Sequence, residues 1–129
     1  MSYQEAYGGY HAVNLDAQTS RASPVELVLL LTDGLLDELA RVRAHIVARR
    51  FEAKAASIDK CSEIINGLSS SLDLDQGGET VTNLARIYDF CVNHLHAAGI
   101  KMDPSMVDEV VRILGTIRQG WTEIKERNG

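Results

Sequence analysis

A chain of 129 residues is long enough to bury one hydrophobic core and too short for two. With 45% hydrophobic and 24% charged residues and two prolines, it is a globular composition, not a disordered one. A net charge of -5 disfavours nucleic acid or an anionic membrane surface as partner, because both are bound mainly through Lys and Arg.

Residues 1–22 come first and carry Tyr3, Tyr7 and Tyr10 around Gly8-Gly9. They lack the basic-then-apolar order of a secretory signal, and no later apolar run reaches the roughly 20 residues of a membrane span. The expected compartment is therefore the cytoplasm, without membrane insertion. This N-terminal segment is expected to stand outside the main domain, mobile or docked on it, with residues 23–127 forming that domain.

The first helix is predicted from Ser23, whose hydroxyl can cap free backbone N–H groups, with Pro24 and Glu26 completing a proline-led capping box. It runs to about Val47. A second helix covers about 52–72, where Ile58, Cys61, Ile65, Leu68 and Leu72 repeat at three and four residues. A loop around Gly77-Gly78 precedes a third helix, about 79–98, with Val81, Leu84, Ala85, Tyr88, Cys91, Val92 and Leu95 on one face. Asp103 and Pro104 open the fourth, which carries Val107, Val110, Leu114, Ile117, Trp121 and Ile124 and runs to about Glu126. Most glycines are read as helix ends. Long helices joined by short connections favour antiparallel neighbours, so the fold class is all-α: an up-down-up-down four-helix bundle with an N-terminal extra segment.

The first helix has more aliphatic residues than one face needs. At about 100° per residue, Leu27, Val28, Leu31, Leu35, Val42 and Ile46 form a core face, and Val25, Leu29, Leu36, Ala40 and Val47 fall on a second stripe. On the third helix, Ile87, Phe90 and Ala97 lie outside the core arc. These second stripes are expected to form an apolar groove for another helix or an unfolded segment.

Catalytic and metal chemistry find no support. A di-metal bundle needs Glu-x-x-His pairs, and none occurs. Cys91 and His94 are two ligands where zinc wants four. The Asp73 and Asp75 loop has Leu84 where a calcium loop needs its bidentate Glu. No phosphate-cradling loop or nucleophile elbow is present. No enzyme activity, cofactor or metal is expected, and Cys61 and Cys91 are read as reduced core residues.

Three stretches in register, "ASPVELVLLLTDG" at 22–34, "GGETVTNLARIYDF" at 77–90 and the late Trp121, resemble the flagellin export chaperones, the FliS family. Thr32 and Phe90 depart from that family's pattern, which commonly has Tyr at both places. The resemblance implies an antiparallel bundle that binds the disordered C-terminal region of flagellin. It would block premature polymerisation and deliver its client to the type III export gate protein FlhA. Val25, Leu29, Leu36, Ile87 and Phe90 are then the expected client contacts, with Asp33 and Asp89 orienting helix ends or pairing with client cations. Tyr7 and Tyr10 are carried over as candidates for self-capping and for docking at the gate. The alternative is a structural homodimer, or an adaptor for another amphipathic helix, in which the second stripes face their partner.

Overall fold

Ser23 begins the first helix as its neighbours foretell: its hydroxyl accepts from the Glu26 amide and the Glu26 carboxylate accepts from the Ser23 amide, at 3.2 and 3.4 Å. In the computed structural model, which describes residues 23–72 and 77–128, four helices follow: α1 (Pro24–Val47), α2 (Phe51–Ser70), α3 (Gly78–Lys101) and α4 (Pro104–Asn128). Each packs against its chain neighbours, and α4 closes the ring against α1, so α1 and α3 stand diagonally across the bundle. The all-α up-down-up-down expectation holds among the described residues. Residues 1–22, with Tyr7 and Tyr10, and the Asp73 and Asp75 loop lie outside them.

The core is built from one seam per helix. Leu35, Leu39, Val42 and Ile46 of α1 meet Ile58, Cys61, Ile64, Ile65 and Leu68 of α2. Opposite them stand Tyr88, Cys91, Leu95 and Ala98 of α3 with Val107, Val110 and Leu114 of α4. Each large aliphatic side chain withdrawn from water here contributes about 1.5–3 kcal/mol. Both cysteines are free and fully buried. Burial pushes the Cys61 thiol well above its usual range and the Cys91 thiol up to about 11, so both stay neutral at physiological pH.

Two expectations need correction. The glycines are not mostly helix ends: Gly34, Gly67, Gly99, Gly115 and Gly120 all sit inside helices. Gly99 has a packing reason, since a Cβ there would stand 2.5 Å from Ile58 Cδ1. The third helix therefore runs on to Lys101, and the residue that turns left-handed to end it is Met102, at φ 53°. The 6→1 bond of a Schellman turn follows, from the Asp103 amide to the Ala98 carbonyl at 3.0 Å. Arg49, at φ 58°, ends α1 in the same way, with Arg50 N–H donating to the His45 carbonyl at 2.8 Å.

The second correction concerns the faces of α1. Leu29 is buried, at 9% exposure, and Thr32 and Glu38 are buried too, while Leu27, Val28 and Leu31 are only partly covered. Leu29, Leu36 and Arg43 are spaced by seven and so share a stripe. Arg43 holds Asp108 of α4 with Nε at 2.8 Å from Oδ1, and the neighbouring Asp33 binds Arg118 of α4. Leu29 and Leu36 thus lie on the side of α1 that carries its ion pairs to α4, while Ala40 and Val47, on the same stripe, are exposed.

Candidate functional site: the open end of the bundle

The four seams do not close along their whole length. In α1 the residues before Leu29 are partly or fully exposed, and Leu72, just past the end of α2, is half-buried beyond Leu68. In α3 no residue before Tyr88 is buried, although Val81, Leu84 and Ala85 continue its seam. In α4 Ile117, Trp121 and Ile124 continue the line of Val107, Val110 and Leu114, again only half-buried. Because neighbours are antiparallel, the start of α1, the end of α2, the start of α3 and the end of α4 are one end of the bundle. Apolar periodicity outruns the closed core there.

At this end lies a cavity of about 210 Å³. Val25, Leu27, Val28 and Leu31 of α1 wall one side, Leu68 of α2 and Leu72 just past its end another, and Tyr88 and Trp121 supply the aromatic surfaces. Polar side-chain atoms come only from Ser71, Tyr88 and Trp121. Ser71 Oγ already donates to the Leu68 carbonyl at 2.7 Å. Burial raises the Tyr88 phenol's pKa, so the phenol stays neutral. Such a lining offers dispersion and desolvation to an apolar guest and no acid, base or nucleophile.

Along α3, Ile87 is 37% exposed and Phe90 48% exposed. They lie on the flank that His94 turns to α4: His94 Nε2 stands 2.9 Å from Glu109 Oε2, and the Phe90 ring stacks on the His94 ring with centroids 4.9 Å apart. Ile87 also adjoins Tyr88, whose side chain lines the cavity. An apolar strip on α3 thus leads up to the open end.

The expected site residues therefore separate. Val25 lines the cavity, Ile87 and Phe90 form the exposed strip, Leu29 is buried and Leu36 is half-buried against the core. The groove is not made by α1 facing α3, since α2 and α4 stand between them. Asp33 is engaged by Arg118 Nε and Nη2, and Asp89 is exposed. The reading of α1 missed Leu27, Val28 and Leu31 as open positions, because 3.6-residue periodicity reports a face and not how far along it the partners extend. Trp121 was visible as the one tryptophan near the end of the last helix. Its half-covered state depends on where α2 ends and α3 begins.

Among the described residues no helix is long and apolar enough to cross a membrane. The pattern of the family described as Flagellar protein FliS matches residues 6–128. The flagellar secretion chaperone FliSB of Pseudomonas aeruginosa is 36% identical over 124 residues, 96% of this chain and 98% of that protein. The flagellar secretion chaperone FliS of Vibrio cholerae is 35% identical over 115 residues, 89% of this chain and 85% of that one. The Salmonella typhimurium chaperone of the same name is 33% identical over 119 residues, 92% and 88%. A helical bundle open at an apolar end, matched over nearly its whole length to secretion chaperones, belongs to the FliS family of flagellar secretion chaperones.

Proposed function

We propose that this protein is a non-enzymatic cytoplasmic chaperone that binds the disordered C-terminal region of flagellin, prevents its premature polymerisation and delivers it to the export gate protein FlhA. The observation that carries the proposal is the open end, where four apolar seams continue beyond the closed core and surround a cavity with an almost wholly apolar lining. A chain that orders on binding loses conformational entropy, and a long apolar surface can offset that loss where one polar pocket could not. Seated with one large side chain in the cavity, the client would continue along Ile87 and Phe90. The strip is shallow and the client's contacts are separable, so release at the gate can proceed stepwise.

Calorimetry with the host's flagellin, with and without its C-terminal segment, tests this. Only the longer form is expected to bind. Val25→Asp and Phe90→Asp each put a carboxylate on the proposed surface and should weaken binding by about tenfold or more, with circular dichroism unchanged. Unaltered affinity in both variants would remove the cavity and strip from the site.

Residues 1–22 join the bundle at Ser23, beside Pro24 and Val25 at the cavity rim. The proposal therefore extends to them as the occupant when no client is bound, with Tyr7 and Tyr10 as the capping side chains and as docking candidates at the gate. Deleting residues 1–22 should raise the fluorescence of a dye that reports exposed apolar surface and change client affinity. Equal fluorescence and equal affinity would refute that extension while leaving the client proposal standing.

A further inference from the structure

The end of the bundle opposite the cavity, formed by the α1–α2 turn and the α3–α4 turn, exposes apolar side chains of a different kind. Among the described residues Val47 is 61%, Phe51 53% and Ile100 83% exposed, more than the other large apolar residues Ile87 and Phe90. Cations surround them. The Arg49 guanidinium carbon lies 5.3 Å and Lys54 Nζ 5.7 Å from the centre of the Phe51 ring. Lys54 Nζ also donates to the Gly99 carbonyl at 2.9 Å, which ties Phe51 to the turn of α3 that carries Ile100 and Lys101.

Cations outnumber acids at this end. On the sides of the bundle Arg41, Arg43 and Arg118 each hold a carboxylate. Arg49, Arg50, Lys54 and Lys101 form no ion pair among the described residues. Arg50 Nε donates to His45 Nδ1 instead. The nearby acids are Glu52, exposed in the first turn of α2, and Asp103, whose Oδ1 is already occupied by the amide and hydroxyl of Ser105. A locally basic end thus sits on a chain of net charge -5. Arg49 keeps its cation over Phe51 from a left-handed backbone, φ 58°, that glycine would occupy more easily.

We propose that this turn end is a second docking surface, for a segment of a partner protein in which Asp or Glu residues flank a large apolar side chain. Carboxylates would meet the four cations, and the apolar side chain would lie against Phe51 and Ile100. A second copy of this chain fits poorly, since pairing the two turn ends about a twofold axis opposes like charges. Nucleic acid would leave Val47 and Ile100 unpartnered and meets the net negative charge of the rest.

The test uses the full chain and fluorescence anisotropy with a labelled peptide in which Glu and Asp alternate with Leu and Phe, beside the same peptide with Lys in place of the acids. The acidic peptide is expected to bind, more weakly at high salt, and the Lys peptide not to bind. Phe51→Ser and Arg49→Glu should each weaken binding by about tenfold while flagellin binding is unchanged, and Ile100→Ser should act in the same direction. All three positions are exposed, so the variants should keep the helical circular dichroism of the parent. The proposal fails if neither peptide binds, if both bind alike, or if the three variants bind like the parent. It fails equally if Phe51→Ser reduces flagellin binding, which would make this end part of the client surface. A shift from dimer to monomer in sedimentation for Phe51→Ser would show a self-interface instead. Single-stranded DNA or anionic vesicles that bind through these residues in place of the acidic peptide would also overturn it.

Discussion

The two halves of α1 have similar aliphatic content and different surroundings. From Leu35 to Ile46 the seam is sealed by three other helices, and Leu35, Leu39 and Val42 have no exposed surface. From Val25 to Leu31 the same helix borders a cavity, and Leu27, Val28 and Leu31 are half-open. The difference lies in the partners: α3 contributes nothing buried before Tyr88, and α4 nothing buried after Leu114. One helix can thus hold a domain together with one half and offer a surface with the other.

The largest test of that division is truncation along a single seam. Leu39→Ala or Leu95→Ala, in the sealed half, should cost about 2–5 kcal/mol in urea unfolding, the transfer loss plus the void it leaves. Leu31→Ala enlarges an existing cavity and exposes little that was dry, so about 1 kcal/mol is expected. Equal losses at Leu31 and Leu39 would mean that the open end is as tightly packed as the middle.

A second contrast concerns buried polarity. The sealed half encloses Glu38, whose Oε1 accepts from Arg41 Nη1 at 2.9 Å and whose Oε2 accepts from Ser57 Oγ at 2.7 Å. Ser57→Ala would leave a buried carboxylate oxygen without its donor, at about 1–3 kcal/mol by the same unfolding measurement. Ser71→Ala, at the open end, removes a hydroxyl that turns back to its own helix and should change stability by less than about 0.5 kcal/mol.

Glycines sharpen the comparison on a smaller scale. Gly115, on the α4 stretch that leads to the open end, has nothing within 4 Å of a built Cβ. Gly115→Ala should therefore stabilise by up to about 1 kcal/mol, the helix-propensity difference. At Gly99 the same gain is opposed by Ile58 Cδ1, which must move, so Gly99→Ala should be neutral or destabilising in thermal unfolding. Ile58→Val removes the opposing methyl group and should restore the gain in the double variant.

Much of this was legible from sequence. Ser23-Pro24-Glu26 and Asp103-Pro104 placed two helix starts because capping is local chemistry, and the three-four spacing of α2, α3 and α4 gave their seams. The faces of α1 were harder, since aliphatic residues surround most of that helix and periodicity alone could not choose between them. Leu29 and Leu36 were assigned outward because the pattern carries no information about a neighbour such as α4. The open end was not readable at all from periodicity: Leu27, Val28 and Trp121 have the spacing of core residues, and only the register of four helices shows where their partners stop. Gly99 misled in the opposite sense, because the same residue that frees a backbone also permits close approach.

The smallest expected effect separates the two ends by pH. At the open end α1 is capped by the Ser23 hydroxyl, which does not titrate. At the turn end α4 is capped by Asp103, whose Oδ1 accepts from Ser105 N and Oγ at 2.9 and 2.6 Å. Those bonds, the side-chain one first, hold the Asp103 carboxyl below its ordinary pKa, because they favour the charged form. A folded value below the unfolded one means that the unfolded chain binds the proton more readily. The contribution is therefore complete above the unfolded value and disappears as pH falls through the folded value. Asp103→Ala should lower the thermal midpoint near neutral pH, and the gap from the parent should close in acid below the carboxylate range. The gap between Ser23→Ala and the parent should change less over the same interval. A gap for Asp103→Ala that stays constant into acid would show that its ionised carboxylate is not what fixes the start of α4.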